Sequence, residues 1–252
     1  MKGVVLLSIF AVLFILIGAG CKESPSNITN INTEQKTQDS TEVSLMVENI
    51  KWLGHASFKL TGEKIIYIDP WKIKGGEKAD IVLITHEHYD HCSPEDIARI
   101  VKEDTVIVTV ADCQSKVLKS NKEIKLVEPG TKVNVKGIQI EAVPAYNTNK
   151  QYHLKENQWV GFIVTINGKR IYHAGDTDFI PEMSQLKNID VALLPIGGTY
   201  TMNAQEAAQA ANTIKPKVAV PMHVGDIVGS RADIEKFKSL TRVPVTVLEE
   251  SQ

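Results

Sequence analysis

The sequence predicts an α/β fold, and three observations carry that expectation. Short apolar runs alternate with helical patterns in both halves of the chain. The pair Asn167-Gly168, a strong tight-turn signal, joins two of the runs as a hairpin. A third run, Ala79-Asp80-Ile81-Val82-Leu83-Ile84, ends in the loop Thr85-His86-Glu87-His88-Tyr89-Asp90-His91, a buried strand delivering polar side chains to its tip.

The first 21 residues stand apart. Lys2 supplies a short positive start, residues 3–20 carry no charge, and the run closes on Gly18-Ala19-Gly20-Cys21. Such a stretch is barely long enough to span a bilayer, and small residues before a lone Cys predict a lipoprotein signal with Cys21 acylated after cleavage. An uncleaved anchor and an ordinary signal peptide are the alternatives. All three put the rest of the chain outside the cytoplasm, with the membrane reached through the N-terminus. Residues 22–44 are rich in Ser, Thr, Asn and Gln, too polar to offset chain entropy, and predict a flexible tether.

The domain expected over 45–252 begins with strands. Residues 46–53, 57–60 and 64–69 read as strands, with Thr61-Gly62-Glu63 turning between the last two. After the histidine loop, Ser93 caps a helix over 94–101, with Pro94 at its first position and Glu95 and Asp96 at its positive end. A strand at 105–110, a short helix at 112–119 and strands at 124–127, 132–135 and 138–143 follow. A polar loop over 144–158 precedes the hairpin 159–166 and 169–173. Strand 191–194, helix 204–214, strand 218–221, helix 233–240 and strand 243–247 complete the chain.

Composition narrows the function. With 252 residues and 43% hydrophobic content, the chain can bury one substantial core. A formal charge of −2 gives no electrostatic case for binding nucleic acid. Three scattered cysteines do not make a disulfide scaffold.

Chemistry concentrates in the loop after residue 84. His86, His88, Asp90 and His91 are ligands suited to a borderline divalent ion such as zinc. Side chains two apart do not share a helix face, so the run works as a tight loop whose alternate residues converge on one centre. A polar turn that happens to be rich in His is the competing reading.

His-x-His-x-Asp-His after an apolar strand resembles the signature of the metallo-β-lactamase superfamily. Trp52-Leu53-Gly54-His55-Ala56-Ser57-Phe58, Tyr172-His173-Ala174-Gly175-Asp176-Thr177 and Pro221-Met222-His223 extend the likeness in order. These flanking segments resemble the branch that holds ascorbate-lactonase-like and phospholipase-D-like metallohydrolases. The resemblance implies a four-layer αββα sandwich and two divalent metal ions, zinc first, with Mn2+ or Fe2+ as alternatives. By position, His86, His88 and His153 hold one ion, Asp90, His91 and His223 the other, and Asp176 bridges them. Asp90 doubles as proton acceptor for the attacking water.

The third motif departs from the pattern, because Asn147 stands where the family commonly has His. His153, six residues later, is the expected ligand, with Asn147 as a weaker oxygen ligand or substrate contact. Asp69 is placed either to orient a ligand imidazole or simply to end a strand. His55 reads as a pocket residue or a buried structural His, and Tyr200 as a pocket lining. The implied activity is hydrolysis of an ester, lactone or phosphodiester bond in a small-molecule or lipid-like substrate. A mononuclear iron persulfide oxygenase and a non-catalytic metal-binding surface lipoprotein are the alternatives.

Overall fold

The computed structural model describes residues 41–251. The expected signal over 1–21 and the tether up to residue 40 lie outside the described residues. Residues 41–47 are helical, a correction to the reading that ended a tether at 44 and began a strand at 46. Val43, Met46 and Val47 recur at helical spacing and pack on the core, so period rather than apolar content decides this segment.

Two six-stranded sheets follow, each built from strands in chain order. The first contains β1 (Ile50–Trp52), β2 (Phe58–Leu60), β3 (Ile66–Ile68), β4 (Ala79–Ile84), β5 (Val101–Thr109) and β6 (Glu123–Leu126). β1 to β3 form an antiparallel meander, and β3 to β6 run parallel. The second contains β7 (Lys132–Val135), β8 (Ile138–Pro144), β9 (Val160–Ile166), β10 (Lys169–His173), β11 (Val191–Pro195) and β12 (Val218–Met222). There β7 to β10 form the meander, and β10 to β12 run parallel.

Helices make the parallel crossovers other than that from β3 to β4, which is a loop. α1 (Pro94–Ile100) links β4 to β5 and is capped by Ser93, whose side chain accepts from the Asp96 amide. A short α2 (Gln114–Val117) packs beside it. On the second sheet, α3 (Ala204–Ile214) starts in an Asn203–Glu206 capping box. Its buried face is mostly alanine (Ala204, Ala207, Ala208, Ala211), which lets it lie close on β11. α4 (Arg231–Leu240) packs on α3. The result is the αββα sandwich, with one continuous set of buried apolar side chains drawn from both sheets.

The expected strand at 243–247 does not form. Its contact with β12 is a single parallel bridge, Ala219 to Val245: the Ala219 amide donates to the Pro244 carbonyl, the Thr246 amide donates back to Ala219, and Pro244, with no N–H, cannot extend the ladder. His173 ties the sheets together. Its Nε2–H donates to the Ala56 carbonyl at 2.8 Å, and its ring meets Phe58 edge-on at 5.6 Å.

This arrangement fixes where the chemistry sits. The loops bearing the histidines and carboxylates leave the carboxyl ends of β4, β8, β10 and β12, where α/β sheets expose their ligand sites.

Candidate metal centre

The loop after β4 is held from below by Asp69, which sits at the end of β3. The Thr85 amide and hydroxyl donate to its two oxygens at 2.8 and 2.7 Å. His91 Nδ1 lies 2.8 Å from Asp69 Oδ2, so Nδ1–H donates to that carboxylate and Nε2 is turned towards the centre. His86 Nδ1 lies 2.9 Å from Thr85 Oγ1, whose own proton is committed to Asp69; the imidazole therefore donates, which leaves its Nε2 an acceptor. That Nε2 lies 3.0 Å from His88 Nδ1, whose N–H donates to it.

The loop after β10 brings the carboxylate. Gly175 has φ +64, and a Cβ there would stand 2.7 Å from the Val160 carbonyl, so only glycine permits the turn that delivers Asp176. Asp176 Oδ2 lies 3.3 Å from His153 Nε2 and 3.1 Å from His223 Nε2, and Asp176 Oδ1 lies 3.4 Å from His91 Nε2.

Among the described residues, three groups of potential ligand atoms gather within 4.8 Å of one another. They are His86, His88 and His153; His86, His91 and Asp176; and His55, Asp90, His91 and His223. The buried side-chain atoms with no hydrogen-bond partner include His91 Nε2, His153 Nε2, His223 Nε2 and Asp176 Oδ1. Burying unpaired polar atoms is costly, and here imidazole nitrogens and a carboxylate oxygen converge, so the donor set fits a cation.

Electrostatics agree with that arrangement. Burial pushes His86 well below the ordinary imidazole range and lowers His88. Burial alone would lower His91 too, but the Asp176 and Asp69 carboxylates overcome it and hold His91 well above that range. Burial opposes ionisation of Asp176, yet the surrounding imidazoles hold its carboxyl well below the usual carboxylate range. Asp90 is likewise buried, but the His55 hydrogen bond and the His91 charge bring it down to about 2.

The remaining expected residues are one step out. His55 Nε2–H donates to Asp90 Oδ2 at 3.1 Å, and the His223 amide donates to the His55 carbonyl at 2.8 Å. Asn147 Oδ1 accepts from the His153 amide at 3.0 Å and from His153 Nδ1 at 3.2 Å, which turns His153 Nε2 towards Asp176. Asn147 Nδ2 donates to the Tyr200 carbonyl at 2.9 Å, so Tyr200 braces the motif through its backbone as well as lining the cleft above.

Two contributors escape the sequence reading. Trp159 backs His86, His88 and His153 with ring contacts of 4.8, 4.9 and 5.6 Å. Asp178 pins the loop after β8, accepting from Asn147 Nδ2 at 3.2 Å, from the Thr148 amide at 2.8 Å and from Lys150. The only signal for Asp178 was its place two residues after Asp176. Over the cluster opens a cleft of about 230 Å³, walled by Tyr89, Tyr152, Tyr200 and Ile227.

Known proteins are similar to this chain in sequence and fold. A family model, the beta-lactamase superfamily domain, matches residues 49–223. The UPF0173 metal-dependent hydrolase of Thermoplasma acidophilum is 38% identical over 208 residues, covering 77% of this chain and 92% of its own length. Its counterpart in Pyrococcus abyssi is 36% identical over 217 residues, covering 79% and 96%. A solved candidate metal-dependent hydrolase from Parabacteroides distasonis has 37% identity and a TM-score of 0.72, covering 81% of this chain and 93% of that one. The metallo hydrolase Igni18 of Ignicoccus hospitalis has 27% identity and a TM-score of 0.66, covering 81% and 95%. The family match over residues 49–223 and the identity to these relatives place this chain in the metallo-β-lactamase superfamily, as a metal-dependent hydrolase.

Proposed function

We propose that the centre holds two divalent ions, zinc first among the candidates. His86, His88 and His153 would hold one, Asp90, His91 and His223 the other, and Asp176 would touch both. The observation that supports this most is the convergence of three unpaired imidazole nitrogens on one buried carboxylate. Such a pair of ions, when bound, lowers the pKa of a water from ~15.7 to about 7 and stabilises the charge developing on an attacked ester, lactone or phosphodiester oxygen.

The chain's own residues do the rest. Asp90 stays ionised at physiological pH, fixed by His55, and accepts a hydrogen from the attacking water, orienting it. So weak a base passes the proton on rather than keeping it. Trp159 and the aromatic walls of the cleft keep bulk water from the nucleophile's other faces. The uncharged run ending at Cys21 supports an extracytoplasmic protein held at the membrane by lipid, acting on a small-molecule or lipid-like substrate.

Elemental analysis after zinc loading tests the centre. We expect about two ions per wild-type chain and fewer than one in Asp176→Ala. One ion in the wild type rejects the dinuclear reading, and two ions retained in Asp176→Ala reject the bridge.

A further inference from the structure

The mouth of the cleft is apolar although it stands in water. Tyr89, Tyr152 and Ile227 line it and are 68%, 49% and 36% exposed. Large apolar side chains left open around one functional cleft mark a binding surface rather than scattered surface residues. The rings are braced: Tyr152 meets Tyr200 edge-on at 4.7 Å, and Tyr89 meets Trp71 edge-on at 6.1 Å.

Several lysines on the loops next to the cleft residues in sequence, or bridging to them, stand in ion pairs with carboxylates. Lys72 pairs with Asp226 at 2.9 Å and Lys116 with Glu87 at 3.1 Å. Lys155 pairs with Glu182 at 3.2 Å, and Lys150 pairs with Asp178. Among the described residues no Lys or Arg lines the cleft, whose charged groups are the carboxylates of Asp90 and Asp176. A nucleotide or sugar phosphate would meet no guanidinium or ammonium beyond the metal centre, where phosphate recognition normally recruits one.

We infer that Tyr89, Tyr152, Tyr200 and Ile227 form a collar for the arm of the substrate beyond the scissile bond, and that this arm is uncharged and apolar, an acyl chain or an aromatic ring. The inference rests on the hydrolytic reading of the centre and adds the chemical class of what that centre receives. Each methylene buried on the collar strengthens binding roughly three- to fourfold, so arm length translates directly into specificity.

The test uses the zinc-loaded full chain and two substrate pairs that share a p-nitrophenol leaving group. One pair is p-nitrophenyl octanoate against p-nitrophenyl acetate. The other is bis(p-nitrophenyl) phosphate against the p-nitrophenyl ester of thymidine 5′-phosphate. Whichever bond class is turned over, kcat/KM should favour the apolar member at least tenfold, and the ratio should fall towards one in the double variant Tyr89→Ser, Ile227→Ser. An equal or reversed preference in the wild type overturns the collar. A second readout needs no turnover: the neutral dye N-phenyl-1-naphthylamine should show a saturable fluorescence rise that the double variant loses. Absence of that saturable component overturns the collar as well, and is the result expected if the rim instead presses on a bilayer or a second copy of the chain. Dye binding lost in the variant, with no hydrolysis of either pair, keeps the apolar collar and rejects ester and phosphodiester cleavage as the reaction of the centre.

Discussion

Asp69 Oδ2 and His91 Nδ1 lie 2.8 Å apart, both fully buried, and that contact decides which nitrogen of His91 faces the metal centre. The same carboxylate takes the amide and hydroxyl of Thr85, whose hydroxyl in turn sets the tautomer of His86. One side chain at the end of β3 therefore orients two imidazoles of the next strand's loop.

Asp69→Asn tests this orientation with little change of shape. Asp69 has φ +45, a conformation Asn also accepts, so the backbone should hold. The amide nitrogen, however, cannot accept, and one of Thr85 and His91 loses its partner or its tautomer. Metal affinity should drop ~10–100-fold, measured by competition with a chromophoric chelator. Asp69→Ala strips the acceptor from a buried pair and should also cost about 3 kcal/mol or more of stability. Unchanged zinc affinity in Asp69→Asn would refute the positioning role.

The protonation of His91 gives a second prediction. In the metal-free protein its pKa stands well above the ordinary value, because Asp176 and Asp69 outweigh burial. The sign follows: the folded state binds this proton more tightly, so His91 contributes stability fully present below pH ~6.5, lost as pH rises through the raised value. His86, lowered by burial, acts oppositely, and its contribution is lost as pH falls below ~6.5. Metal must displace the His91 proton, so zinc loading at neutral pH should release on the order of one proton from this site. Calorimetric titrations in phosphate and in Tris, whose ionisation heats differ, count it. His91→Gln should release correspondingly fewer, and equal proton counts would contradict the assignment.

The N-terminal reading predicts that Cys21→Ser releases the protein from the membrane fraction or blocks its maturation. The motive is the uncharged run ending in Gly20-Cys21. One acyl chain binds only marginally, so stable attachment needs more than one. Mass spectrometry of the mature protein decides it, because an unmodified Cys21 would end the lipoprotein reading.

What could be read from the sequence follows the distance over which each signal acts. His86, His88, Asp90 and His91 were legible because their converging ligands sit within one short loop. Asp176 and His223 are legible only as strand-end residues in the motif order of the family the chain resembles, since nothing local ties them to His91. The weight of His55 was hidden, because its partner Asp90 is 35 positions away. Trp159 stands in the sequence only as the start of a strand, and its contact with three imidazoles exists only once that strand lies under the loop of β4. The two departures in the fold have equally local causes: residues 41–47 carry their apolar side chains at helical period, and Pro244 lacks the N–H that would extend a strand over 243–247.

The division of labour between Asn147 and His153 gives the last prediction. Asn147 has spent its polar atoms: Oδ1 takes the amide and Nδ1 of His153, and Nδ2 serves Asp178 and the Tyr200 carbonyl. The Asn147 amide closes the loop on the His153 carbonyl at 2.7 Å. His153 Nε2 is left unpaired, 3.3 Å from Asp176 Oδ2, in the group it shares with His86 and His88. An imidazole nitrogen is also a better zinc donor than an amide oxygen. His153→Ala should therefore remove metal from one site, while Asn147→Ala should keep the stoichiometry and lower affinity or turnover ~10–100-fold by freeing the ring. Both variants should be purified without added zinc and compared for metal content and activity. Full metal content in His153→Ala beside a loss in Asn147→Ala would make Asn147 the ligand and His153 its support.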